Sequence, residues 1–457
     1  MVDNATRRGF VKRTGAAAAI GSLGLAGCLG NGDDDDGDGA EAVAGETIKI
    51  GALQPVSGDL TYYGEISLMG FFSGLAYKHD TDPITDLTVG TRTIETDDGP
   101  NYEIHIQDTE FSADTAQSVA TDLVVDEEVD VLVGTSSSDA ARRLIGTVVE
   151  DAGVPFIAGP AADGDITVSS EHCNPLVFRT SEHTAMDARA GGTYAAEHTD
   201  ISSVAIFAAD YSFGHGVAAN YQEVLEAEGI EVLEPRFVEQ GYSEFEGLFD
   251  EALDQGADGV VGGFTVATLP QFLSTAVGYD IQVLGAFAEL LTTQSMGGTI
   301  ESALGEDFTA EDIRDARMGP FTTRYHWNQY DNEINDAFID LHVDAYEMVP
   351  DLFSAGTFVA GSALSQAIAE SGSTDGQDIA DAMRGMTVTD TPKGENAYQF
   401  QEHNNQAASA MTVAWPVPTS DEFADTWDAS VMPSEPVETL APEAVMVPSE
   451  EASCDLS

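Results

Sequence analysis

The chain has 457 residues, 80 of them Asp or Glu and only 17 Lys or Arg, for a formal net charge of −63. That charge excludes binding to nucleic acid or anionic lipid headgroups through a basic face, and 42% hydrophobic residues exclude an acidic disordered chain. The balance points to a globular, halophilic protein working near salt saturation, where self-repulsion is screened.

The first thirty residues read as an export signal. Thr6-Arg7-Arg8-Gly9-Phe10-Val11-Lys12 precedes an uncharged run from Thr14 to Gly27. That run is shorter than the ~20 apolar residues a membrane-spanning helix needs, and it ends in small residues, as a cleaved leader does. The Arg7-Arg8 pair resembles a twin-arginine signal. Leu25-Ala26-Gly27-Cys28 resembles a lipobox, in which the Cys thiol receives lipid and becomes the first residue. Residues 1–27 are then a leader, Cys28 is a lipid anchor on the extracellular face of the membrane, and 28–46 form an acidic tether. Asp34, Asp36, Asp38 and Gly39 have the spacing of a calcium loop, but Gly45 stands where its closing carboxylate is required, which leaves a solvated linker.

From Thr47, strands and helices alternate. Ile48–Leu53 is a short apolar strand, followed by a helix over about 65–79. Tyr102–Ile106 alternates as a strand, and Asp114 opens a helix with Ala116, Val119, Ala120 and Leu123 on one side. Val129–Val133 leads through Gly134-Thr135-Ser136-Ser137-Ser138 into a helix ending near Gly153, and Pro155–Ala158 is a further strand. This succession indicates a parallel sheet covered by helices. The pattern stops at Val177-Phe178-Arg179-Thr180 and restarts, with strands at 204–208, 230–233, 260–263 and 281–284. Helices lie between them at about 216–227, 245–255 and 267–277. Two such units exceed one domain's usual size. Helical stretches near 333–348, 355–370 and 376–386 follow, then a strand at Ala410–Trp415 and an acidic tail, 416–457, with no core of its own.

With Cys28 assigned to lipid, Cys173 and Cys454 remain as an even pair in an oxidising compartment, expected to form a disulfide that ties the tail to the body. No CxxC or HExxH motif occurs, so no metal site or cofactor is indicated. G-x-S-x-G, the elbow a secreted hydrolase on a doubly wound fold requires, is absent too. No spanning helix or signalling domain follows Trp415, as a sensor ectodomain would need.

The opening Ile48–Gly58 with Tyr62-Tyr63-Gly64 is similar to that of leucine/isoleucine/valine-type solute-binding proteins of ABC importers. Gly134–Ser138, Gly153-Val154-Pro155, Phe178-Arg179-Thr180, Asp210-Tyr211-Ser212-Phe213-Gly214, Thr391-Pro392-Lys393-Gly394 and Ala414-Trp415 extend the resemblance from about Thr47 to Trp415. It implies an α/β fold of two doubly wound parallel-sheet lobes joined by three crossings, a clamshell that closes on ligand by its hinge. Lobe 1 would comprise 47–178 plus 319–390, and lobe 2 181–317 plus 398–415. It implies no enzyme activity, a monomer, ABC permease subunits as partners, and a small amino-acid-like ligand, most simply a branched-chain amino acid. Urea or a short amide is the alternative.

In open parallel sheets ligands gather outside the carboxyl ends of strands. The resemblance assigns Ser136, Ser137 and Ser138 to the ligand's carboxylate, on free N–H groups and hydroxyls at a helix start; helix capping is the other use of such serines. It assigns Ala161 a backbone contact, and Tyr63, Tyr211, Phe213 and Phe264 an aromatic wall. Glu289 falls where relatives hold the ligand's ammonium, although any exposed Glu in so acidic a chain rivals that role. Asp163 stands where Thr is common. A carboxylate there would repel a ligand carboxylate, so either Asp163 points away or the ligand is not an ordinary amino acid.

Overall fold

The computed structural model describes residues 42–97, 99–286, 289–423 and 427–457. The leader, Cys28 and most of the tether lie outside the described residues.

Strand β1 (Thr47–Gln54) is central to the first sheet because its apolar residues face helices on both sides: Ile48, Ile50, Ala52 and Leu53 are all buried. It pairs in parallel with β3 (Asn101–Asp108) and β4 (Val131–Gly134). Beyond β4 come β5 (Phe156–Ala158) and β6 (Val177–Arg179), and β2 (Gly90–Ile94) adds an antiparallel edge. The order is β2-β3-β1-β4-β5-β6. Strand β2 carries only one fully buried residue, Ile94, and so gives little apolar signal in the sequence.

Helices α1 (Thr61–His79), α2 (Ala113–Val125) and α3 (Ser138–Leu144) follow β1, β3 and β4. Ser112 caps α2 by accepting the Thr115 N–H. The second sheet is also parallel, with β7 (Ser203–Ala209) and β10 (Gly259–Gly263) at its centre, β11 (Gln282–Leu284) at one edge, and β8 (Glu231–Val232) and β9 (Arg236–Val238) along β7. Its helices include α4 (Thr184–Asp187), α5 (Ser212–Ala227), α6 (Glu246–Asp254), α7 (Leu269–Ala276) and α8 (Leu290–Leu304). Phe207, Phe245, Phe249 and Phe272 fill one face of this second core.

Of three later helices, α10 (Leu352–Ser371) and α11 (Gly376–Met383) return to the first core, while α9 (Glu333–Tyr346) places Ile334 and Phe338 in a separate cluster with Tyr325, Trp327 and Trp427. Helix α10 is long and apolar enough to cross a membrane, yet 89% of its apolar window is buried inside the body, which makes it a core helix. Asp351 and Ser354 cap it reciprocally, and Gly372 ends it at φ 60°. It lies against α1 at Gly70 and Gly74, where a Cβ would come 2.1 Å from the Ser354 carbonyl oxygen and 2.2 Å from that of Phe358. Only glycine permits that approach.

The crossings depart from the expected boundaries. Residues 398–408 do not join the second lobe. Strands β13 (Thr387–Val388), β14 (Tyr398–Phe400) and β15 (Ala407–Ala408) form a small antiparallel sheet whose Val388, Tyr398, Phe400 and Ala407 pack in the first core. Conversely, Phe321 in β12 (Phe321–Thr323) packs in the second core. The chain thus changes lobe at 180–183, after Thr323, and between β15 and β16 (Met411–Ala414), which pairs with β12. The tail adds β17 (Pro416–Pro418), β18 (Val431–Pro433) and β19 (Glu438–Leu440), the last of these pairing with β16. Its end is held by a disulfide between Cys454 and Cys173 of the first lobe.

Candidate functional site

A cavity of about 850 Å³, counting its open mouth, lies between the carboxyl ends of the two sheets. Ser136 and Ser138 reach it after β4, Tyr211 and Phe213 after β7, Phe264 and Thr265 after β10, and Glu289 after β11. Tyr63 comes from α1, and Leu352 and Phe353 from the start of α10. Each is delivered by a strand end or helix start, where side chains are exposed but backbone is fixed.

The three serines divide the expected roles. Ser137 caps α3, its Oγ accepting the Ala140 N–H at 3.3 Å, and does not line the cavity. Ser136 lines it and donates to Gln54 Oε1 at 2.6 Å. Ser138 also lines it, its Oγ accepting the Asp163 N–H at 3.2 Å.

Ala161 lies behind this wall, contrary to expectation, and so does Asp163, which takes the first of its two alternatives and points away. Both polar groups of Ala161 are used: its N–H donates to the Thr135 carbonyl, and its own carbonyl accepts from Arg179. Its neighbour Ala162 lines the cavity instead. Asp163 is 1% exposed and accepts from Arg142 Nη1 at 3.1 Å and from the Asp165 N–H. Burial pushes its carboxyl up to about 6, with repulsion from Asp165 adding to the effect. Because it points away from the cavity, it does not oppose a ligand carboxylate there.

The aromatic wall is larger than expected. The Tyr63 hydroxyl accepts the Val266 N–H at 2.8 Å, so a first-lobe side chain is bonded to second-lobe backbone. Phe353 packs edge-on to Tyr63 with ring centres 5.1 Å apart, and Phe111 spans from Tyr63 to Tyr211 at 6.2 and 6.3 Å. Phe111 sits at φ 56° next to Glu110 at φ 50°, a left-handed pair that turns the chain after β3. Such conformations cluster where structure serves function. No apolar period or glycine marks this turn in the sequence, which is why Phe111 escapes a sequence reading.

Glu289 stands at the start of α8, 4% exposed, with the Thr292 hydroxyl donating to its Oε1. Burial pushes its carboxyl up to about 7, against the hydrogen bond from Thr292. No ion pair joins it to a Lys, Arg or His among the described residues.

Arg324 and Asp187 close the hinge end of the cavity, and neither stands out in the sequence. Arg324 Nε donates to Asp187 Oδ1 at 3.0 Å, and Nη1 donates to the Glu182 carbonyl at 3.1 Å. The Glu182 carboxylate in turn accepts from Lys393 Nζ at 2.6 Å, the Tyr398 hydroxyl at 2.6 Å and Ser409 Oγ at 2.7 Å. Burial alone would raise Glu182, but Lys393 and these donors hold it below the usual carboxylate range. Residues from all three crossings thus meet in one buried polar network that touches the cavity wall.

The sequence profile described as "Periplasmic binding protein" matches residues 47–416. The chain belongs to this family. It is similar to the leucine-, isoleucine-, valine-, threonine- and alanine-binding protein of Pseudomonas aeruginosa, 23% identical over 354 residues, 77% of this chain and 86% of the relative. Among solved structures, an amino acid ABC transporter substrate-binding protein from Pseudomonas fluorescens aligns with TM-score 0.70 at 20% identity, covering 90% of this chain and 99% of that one. An ABC-type branched-chain amino acid transporter protein from Rhodopseudomonas palustris aligns at 0.64 and 22%, covering 88% and 98%. A solute-binding protein from Rhodopseudomonas palustris in complex with 3,4-dihydroxybenzoic acid aligns at 0.67 and 20%, covering 87% and 98%. By that membership the protein is a non-enzymatic, extracytoplasmic solute-binding protein that takes a small ligand.

Proposed function

We propose that this receptor serves an ABC importer, passing its ligand to permease subunits, and that it binds an α-amino acid with an apolar side chain, such as a branched-chain one. The observation that carries this reading is Glu289, a buried carboxyl beside the cavity with no described cationic partner and a raised pKa. A ligand ammonium supplies the missing positive charge and draws the carboxyl into its ionised form. The ligand's carboxylate fits the Ser136–Ser138 end, at the start of α3, where helix N–H groups favour an anion. Rings of Tyr63, Phe111, Tyr211, Phe213 and Phe264 then cover the apolar side chain.

Some fold relatives are described with benzoate or hydroxybenzoates, and the ring-lined wall here would accept such a molecule. A benzoate has no ammonium, however, and would leave Glu289 buried and unpaired. Urea has no apolar group for the rings of this wall to cover and no cation for Glu289. On the leader's residues, the receptor is exported through its Arg7-Arg8 signal, held by lipid on Cys28, and adapted to high salt.

Titration calorimetry in multimolar KCl with L-leucine, L-phenylalanine, benzoate and urea tests the reading. The amino acids should bind, and Glu289→Gln should weaken both strongly. Binding of benzoate but of neither amino acid would overturn the reading.

A further inference from the structure

Two contacts join the lobes beside the cavity without lining it. Helix α5 begins at Ser212 in the second lobe, and its N-cap residue, Tyr211, provides no side-chain acceptor. The Ser212 N–H points instead at Asp139 of α3 in the first lobe, 3.4 Å from Oδ1, and the Ser212 hydroxyl donates to the same oxygen. A carboxylate so placed satisfies a donor that every helix start leaves free, at the positive end of the helix dipole.

One turn further, Gly216 faces Asp163 of the first lobe. A Cβ on Gly216 would come 2.8 Å from Asp163 Oδ1 and 3.4 Å from the Thr184 hydroxyl. Asp163 has little freedom to retreat. Arg142 holds Oδ2 at 3.1 Å, the Asp165 N–H holds Oδ1 at 3.1 Å, and its own N–H is fixed on Ser138.

We propose that Asp139 and the Asp163 loop form a clasp that receives α5 when the lobes close and sets how long the receptor holds its ligand. Closure gives α5 the cap its own sequence lacks, and Gly216 makes room for a carboxylate fixed in the opposite lobe. Asp139, Asp163 and Gly216 do not line the cavity, so the clasp acts on the closing equilibrium and leaves ligand choice alone. It also gives Asp163 a role that a ligand contact does not.

The test uses the full chain with L-leucine and L-phenylalanine as probes, and in that arm it rests on the amino-acid reading. Asp139→Ala should speed dissociation of both about fivefold, the worth of one helix cap. Gly216→Ala should weaken both about tenfold, the scale of an overpacked contact. Alanine for glycine ordinarily favours a helix, so lost affinity with an undiminished Tm marks blocked closure rather than misfolding. Wild-type dissociation rates and affinities in both variants would overturn the clasp. A second arm needs no ligand: hydrogen exchange at the Ser212 amide should run about fivefold faster in Asp139→Ala than in wild type. Equal exchange would overturn the cross-lobe cap. If wild type binds neither probe, the amino-acid reading falls, and the exchange comparison still decides the clasp.

Discussion

Glu182 and Glu289 are almost equally buried, at 1% and 4% exposed, yet their carboxyls are driven in opposite directions. Glu182 lies in the hinge with Lys393, Tyr398 and Ser409 on its oxygens and is held ionised. Glu289 lies on the cavity with one hydroxyl on its carboxylate and is pushed up to about 7. A buried charge is tolerated when its partner is built in. The first glutamate is therefore part of the scaffold, and the second, on the proposed reading, takes its cation from the ligand.

The largest expected effect falls on the satisfied site. Lys393→Met strands the Glu182 carboxylate and should cost about 3–5 kcal/mol in denaturant unfolding. A loss below about 1 kcal/mol would show that the Lys393–Glu182 pair does not hold the crossings together. At the waiting site the effect moves from stability to affinity. Glu289→Gln should weaken leucine by about 2–5 kcal/mol, the range for removing one partner of a buried charge pair, with the chain still folded. An unchanged affinity would remove Glu289 from the site.

The pH dependences should also run in opposite directions. Below its ordinary carboxylate range Glu182 takes up a proton and loses its partner, so its stabilisation is present at neutral pH and lost on acidification. For Glu289 the folded protein holds a proton that the unfolded chain has already released. Stability therefore falls as pH rises from about 4.5 through about 7 and levels off above that. Thermal melts of Glu289→Gln against wild type should agree near pH 4 and diverge in favour of the variant near pH 8. The smallest effect is a control. Ser137→Ala removes a helix cap and should cost about 1 kcal/mol of stability, while the relative affinities for leucine and phenylalanine stay as they were.

This contrast marks how far the sequence could be read. The two sheets were legible because their central strands are apolar runs between helices of regular period, as in Ile48–Leu53 and Val204–Ala208. The short strands at 398–400 and 407–408 carry too few residues for a pattern, and that placed the third crossing before them instead of after them. Ser136, Ser138, Tyr63 and Glu289 could be found because each follows a recognisable strand end or belongs to the resemblance. Asp163 was legible as a departure, but which of its two alternatives held was not, since its partner Arg142 lies 21 positions away. The hinge network was invisible: Glu182, Arg324 and Lys393 meet only after three crossings bring them together, and no local spacing encodes that.

The most direct test of the central claim counts protons. Calorimetry of L-leucine binding at pH 6 in two buffers of different ionisation enthalpy should show release of about one proton per ligand bound, because the ammonium ionises a Glu289 carboxyl that is mostly protonated at that pH. The same titration with Glu289→Gln should release none. Leucine binding without proton release, or equal release from the variant, would contradict the account.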